Sequence, residues 1–111
     1  MSSQKRFAIP GEQIRQLVPA MGGCFASDRV TVDGAKVGYM YRETPEGAWD
    51  SGWRFFAGDE SQEYADDSTH FAIYDVNTVA NYDPDVIPYL STPTPCAFEK
   101  SRGSSGYSRV D

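Results

Sequence analysis

Few residues in this sequence are equipped for chemistry. His70 is the single histidine, so no two-histidine metal site exists within one chain, and acid–base work near neutral pH would fall to one ring. It stands between an acidic stretch and the apolar run Phe71-Ala72-Ile73-Tyr74, a setting that suits a surface or half-buried structural histidine. A serine nucleophile would need His70 beside it together with an oxyanion hole. No GxSxG elbow occurs, and Gly103-Ser-Ser-Gly106 does not match one. Carboxylates come in pairs: Asp59-Glu60, Asp66-Asp67, and Asp83 with Asp85. Glycosidic chemistry needs two at a set separation in a cleft, for which a short chain has little room, and solvated loop acids are the simpler account. The oxygens of Asp59, Glu60, Glu63, Asp66 and Asp67 are clustered, but not in the order of an EF-hand loop. Cys24 and Cys96 lack CxxC spacing and read as small buried hydrophobes. There is no GxGxxG and no Walker-type loop. The residues therefore imply no catalysis, no metal and no cofactor, which leaves action by binding.

Trp53-Arg54-Phe55-Phe56 is dense in aromatic residues. Alternate side chains of a strand face opposite ways, so Trp53 and Phe55 pack inward while Arg54 and Phe56 face out, or the reverse. Core packing is the simpler use of these rings, yet exposed Trp and Arg are typical interface anchors. The acids that follow would supply steering charge. Trp53, Arg54, Phe56, Asp59, Glu60, Glu63, Asp66 and Asp67 are thus the expected partner-binding residues. Charge placement agrees with this. Residues 55–99 hold nine acids and no Lys or Arg, while residues 1–54 hold seven bases and six acids. A formal net charge of -6 and a pI near 4.6 argue against nucleic acid and against an anionic membrane surface. They suit a basic protein partner, although mild acidity also serves solubility alone.

One domain must position these residues, since 111 residues build a single core. Aromatics at 14% supply one. Ile14, Leu17 and Val18 fall at i, i+3, i+4 and predict a short helix ended by Pro19. Val30-Thr31-Val32 and Val37-Gly38-Tyr39-Met40-Tyr41 flank Asp33-Gly34, a hairpin signal over about residues 24–42. Val37, Tyr39 and Tyr41 would share one face. Residues 43–52 read as a loop and 53–57 as a strand. Asp59 to Thr69 reads as loop or irregular helix, and 71–74 as a strand. Asp75 suits the N-cap of a helix over about 76–81, broken by Asp83-Pro84-Asp85. Cys96 to Glu99 offers a last strand. The expected fold is α+β, a small antiparallel sheet of roughly three to five strands with two short helices. The domain would span residues 7–100, with 1–6 and 101–111 as flexible termini. Met1 to Arg6 is polar with no apolar stretch after it, so a cytoplasmic location is expected.

Four blocks carry a family resemblance: Gly22 to Val30, Asp33 to Glu43, Asp50 to Glu60, and Ile73 to Asp85. Together they resemble immunity protein family thirty-three of bacterial polymorphic toxin systems, formerly a domain of unknown function. The resemblance covers about residues 7–100. It implies a cytoplasmic protein that binds and neutralises a cognate protein toxin, and it carries over no catalytic residue. Three readings compete with it: a protein- or ligand-binding module unrelated to toxins, an enzyme using the carboxylates, and a structural homo-oligomer. The sequence leaves the oligomeric state open.

Overall fold

The computed structural model describes residues 5–100, 103 and 106–110. Its centre is a mixed six-stranded sheet. The strands are β1 (Gly23–Ser27), β2 (Tyr39–Arg42), β3 (Asp50–Phe56), β4 (Phe71–Asp75), β5 (Cys96–Lys100) and β6 (Tyr107–Arg109). Their order is β4-β1-β3-β2-β5-β6. Only β1 and β3 run parallel. The α+β class holds, with more strands than expected. One face packs on α1 (Asp28–Thr31), α3 (Val76–Tyr82) and the 3-10 turns of Pro84–Tyr89. There Cys24, Ala26, Met40, Trp53, Phe55 and Phe98 of the sheet meet Val30, Val76, Val79 and Val86. Each buried Val, Met or Phe among them contributes about 1.5–3 kcal/mol by leaving water.

The hairpin at Asp33-Gly34 does not form. The three β-branched residues Val30-Thr31-Val32 have strand propensity, but the Ser27 hydroxyl accepts from the Arg29 N–H at 3.0 Å and caps a helical turn instead. That turn buries Val30 and Thr31. Asp33-Gly34 then ends the helix: Gly34 has φ +78°, and the Ala35 N–H donates back to the Arg29 carbonyl at 2.9 Å. β1 and β2 are not neighbours, because β3 lies between them.

The helix expected around residues 12–18 is also absent. A single 3-10 turn, Gly11–Gln13, gives way to extended backbone at Ile14. Leu17, meant for its buried face, is 42% exposed. Two asparagines one turn apart on α3 hold this segment open. Asn77 Oδ1 accepts from the N–H groups of Leu17 and Val18 at 2.7 and 3.1 Å, and Asn81 Oδ1 from that of Arg15 at 3.0 Å. Both side-chain amides donate to the Arg15 carbonyl. Replacing Asn77 by alanine is expected to cost about 1 kcal/mol, to lower Tm by about 4–8 °C, and to speed amide exchange at Leu17 and Val18. An unchanged Tm with unchanged exchange would show that the clamp does not hold the segment.

α3 starts where expected, but the Asp75 carboxylate makes no capping bond; the Val76 N–H donates instead to the Gly22 carbonyl at 3.1 Å. At the other end of the chain, residues 107–109 form the edge strand β6 rather than a flexible terminus. The cause is a buried hub at Asp83, which is 1% exposed. Asp83 Oδ2 accepts from the Val37 N–H at 3.0 Å and pairs with Lys100 Nζ at 2.9 Å. The buried Tyr107 hydroxyl lies 3.3 Å from the same oxygen and donates to the Val37 carbonyl at 2.7 Å. Residues 1–4, 101, 102, 104, 105 and 111, also assigned to flexible termini, lie outside the described residues.

Candidate functional site

Strand alternation divides the aromatic stretch between two faces. Trp53 and Phe55 are fully buried in the core, and Trp53 Nε1 donates to the Leu90 carbonyl at 3.2 Å. Trp53 therefore cannot be a docking residue, because no part of it reaches the surface. Arg54 and Phe56 lie on the opposite face. Register places Tyr41 and Phe25 beside Arg54, Tyr39 beside Phe56, and Ile73 beside Phe25. Phe56 joins a ring cluster: Tyr41 stacks on it at 6.0 Å and 15°, Tyr39 lies at 5.9 Å, and Phe71 meets it edge-on at 5.6 Å. α2 (Gln62–Ala65) reaches this face through Ala65 and Tyr64. Ile73 is 57% exposed and Trp49 44%. The rings between them are half-buried.

Arg54 is on this face but is not free to anchor a partner, since it is 4% exposed. Its guanidinium donates twice to Asp50, at 2.9 Å each, and once to Glu43 at 2.7 Å, and it lies 4.7 Å from the centre of the Phe25 ring. The Arg54 bonds hold the Asp50 carboxyl well below the usual carboxylate range, helped by the N–H groups of Glu46 and Gly52. Asp50 in turn raises the Arg54 pKa above its ordinary value. Burial, with Glu43 next, pushes the Tyr41 phenol up. A fully satisfied charge cluster of this kind fixes the rings around it and offers no open valence to a ligand.

The five acids of residues 59–67 divide by role. Asp59 binds Arg29 through both oxygens, at 3.0 and 2.6 Å, which lowers its pKa. Glu60 accepts from the N–H groups of Ala57 and Gly58 at 2.8 and 2.9 Å and so closes the turn after β3. Asp67 accepts from the Thr69 N–H and hydroxyl, which lower its pKa. Among the described residues the Asp66 side chain accepts only from Gln62 Nε2, at 2.7 Å. Glu63 makes no hydrogen bond or ion pair with the described residues. Phe56, Asp59 and Glu60 line one shallow groove together with Tyr39 and Glu99. Glu63, Asp66 and Asp67 lie on or after α2, outside it.

Sequence reasoning missed Phe25, Tyr39, Tyr41, Phe71 and Ile73 as members of this face. The alternation of Tyr39 and Tyr41 about the buried Met40 was the available signal. Val37, grouped with those tyrosines, precedes the strand and is buried in the core.

The remaining chemical candidates serve structure. His70 Nδ1 lies 2.8 Å from the Tyr64 carbonyl, and its ring stacks on Tyr64 at 3.9 Å. Cys24 is completely buried, which pushes its thiol pKa up and away from reactivity. Cys96 is buried as well. Among the described residues no group of three or more His, Cys, Asp or Glu is placed to hold a metal ion, and no helix is long and apolar enough to cross a membrane.

Residues 24–110 match the family model described as "Immunity protein Imm33 domain". No curated protein and no solved structure matches the chain.

Proposed function

The chain belongs to the Imm33 immunity protein family, and on that premise we propose that it binds and neutralises a cognate bacterial toxin through the open face of its sheet. One observation carries the choice of face: a contiguous half-buried ring cluster, Tyr39, Tyr41, Phe56 and Phe71, lies on the sheet face turned away from α1 and α3, with exposed Ile73 and Trp49 at its margins. Monomeric proteins seldom leave such apolar surface without a use. Binding occurs without catalysis, in the cytoplasm.

A basic toxin surface is the expected partner. Four cations are committed to internal ion pairs: Lys5 to Asp28, Arg29 to Asp33 and Asp59, Arg54 to Asp50 and Glu43, Lys100 to Asp83 and Asp85. Glu63 and Asp66 keep exposed charge beside the face.

The test begins with capture from the native cell by the tagged protein. The captured candidate is then expressed in a host with and without its captor. Growth arrest relieved by co-expression supports the reading; arrest that persists at equal expression, or a harmless partner, sinks it. With that toxin in hand, reversing Glu63 and Asp66 to lysine together is expected to slow association about tenfold at low salt and far less at high salt. An on-rate that stays at the wild-type value would remove these acids from the interface.

One observation favours a second reading, a homo-oligomer. β4 is an edge strand whose residues Phe71-Ala72-Ile73-Tyr74 carry no charge or proline to block strand addition, with Asp75 at its end as its one charge. Sedimentation at micromolar concentration decides it: a single monomeric species rules it out.

A further inference from the structure

We infer that the shallow depression on the open face beside Phe56 receives an arginine side chain of the protein partner. The inference rests on the docking reading above and adds what the face recognises. Phe25, Tyr41, Phe56 and Phe71 wall the depression, and Glu46, Arg54 and Ala65 of α2 also line it. Phe56 also lines the neighbouring groove, so it forms part of the ridge between the two.

Charge selects the occupant. Arg54 is the one cation there, and Asp50 and Glu43 already hold it. Glu46 adds a further carboxylate. Its backbone N–H is fixed by Asp50 at 2.9 Å, while its side chain makes no hydrogen bond or ion pair with the described residues. Two carboxylates thus hold the guanidinium, and a third, Glu46, lines the same depression. An anion is repelled from such a site, and a neutral side chain leaves its field unused. A guanidinium is planar and weakly hydrated, so it can stack on ring faces while donating to a carboxylate. The chain uses this pairing within its own fold at Arg54, which lies 4.7 Å from the Phe25 ring centre while donating to Asp50 and Glu43; Arg42, 5.7 Å from the Trp53 ring centre, repeats the ring contact with backbone carbonyls as its acceptors.

Titration of the isotope-labelled full chain with N-acetyl-arginine-methylamide, followed by NMR, tests the site without needing the toxin. Shifts are expected at the Tyr41, Phe56 and Phe71 rings and at Glu46. The norleucine counterpart should bind about fivefold more weakly, and Glu46→Gln should weaken the arginine compound by a similar factor with the rest of the spectrum unchanged. An equal response to norleucine, no response to either, or indifference to Glu46→Gln overturns the proposal. The toxin, once captured, separates the two levels of the argument. If Tyr39→Ala loses the toxin while Glu46→Gln binds it at wild-type strength, the docking face stands and the arginine site falls. If both variants bind as wild type does, the face itself is wrong.

Discussion

Replacing Asp50 by alanine is expected to lower the free energy of unfolding by about 3–5 kcal/mol. The Asp50 side chain is 0% exposed and that of Arg54 5% exposed, so the variant strands a guanidinium with Glu43 alone, which is itself half in solvent. It also deprives the N–H groups of Glu46 and Gly52 of their acceptor. Asp50→Asn keeps the shape and some of those bonds and should lose less. Asp50→Ala combined with Arg54→Met removes both charges and should be more stable than Asp50→Ala alone, because the large cost lies in the unpaired charge rather than in the missing attraction. Denaturant titration of the three variants checks this order. A loss below about 1 kcal/mol for Asp50→Ala would mean that water reaches Arg54 and the cluster is not dry.

The same pair fixes a pH dependence. The folded-state pKa of Asp50 is depressed, chiefly by Arg54, so its contribution to stability is fully present above its unfolded pKa of about 3.9. It is lost as pH falls from there through the lower folded value. The stability difference between wild type and Asp50→Asn should therefore be flat from about pH 5 upward and shrink below about pH 4. A difference that stayed constant down to pH 2 would contradict the pairing.

Asp50 and Arg54 stand four apart, which in a strand puts both on one face. The aromatic run starts the expected strand at Trp53, however, and leaves Asp50 in the preceding loop. Arg54 then looked like an exposed anchor instead of the buried centre of an ion cluster. Strands β3, β4 and β5 were legible because their aromatic and apolar runs are bounded by turn residues. The hairpin failed because its first flank is drawn into α1 and because β1 pairs with β3 and β4, both more than twenty residues away, and a local Asp-Gly signal carries no information about such distant partners. The N-terminal helix failed for a similar reason: the backbone groups that periodicity assigned to a helix are taken by Asn77 and Asn81, some sixty residues further on. On the open face proposed to bind, Phe56 stands out in the sequence but its neighbours do not. Which rings join Phe56 depends on register with β2 and on where β4 and α2 come to rest.

Phe56 is where the largest functional effect is expected. It touches Tyr39, Tyr41 and Phe71 and lines both depressions of the open face, so a partner seated there meets it whatever its exact pose. Truncating a central aromatic anchor commonly costs 2 kcal/mol or more, so Phe56→Ala should weaken toxin binding at least about thirtyfold, mostly through faster dissociation. A half-buried ring also supports the fold, so loss of binding alone would not separate docking from unfolding. Two companions do. Tyr39→Ala removes a neighbouring ring from the same face and should raise the dissociation rate too. Trp53→Phe lies one residue from Arg54 but in the core; it should lower Tm while leaving the dissociation rate alone. Surface plasmon resonance beside thermal melts reads both quantities. If dissociation tracked stability across the three variants regardless of face, the rings would be core that happens to be wet. If it tracks face regardless of stability, then what began as the outer half of a strand's alternation is the surface by which this chain holds its toxin.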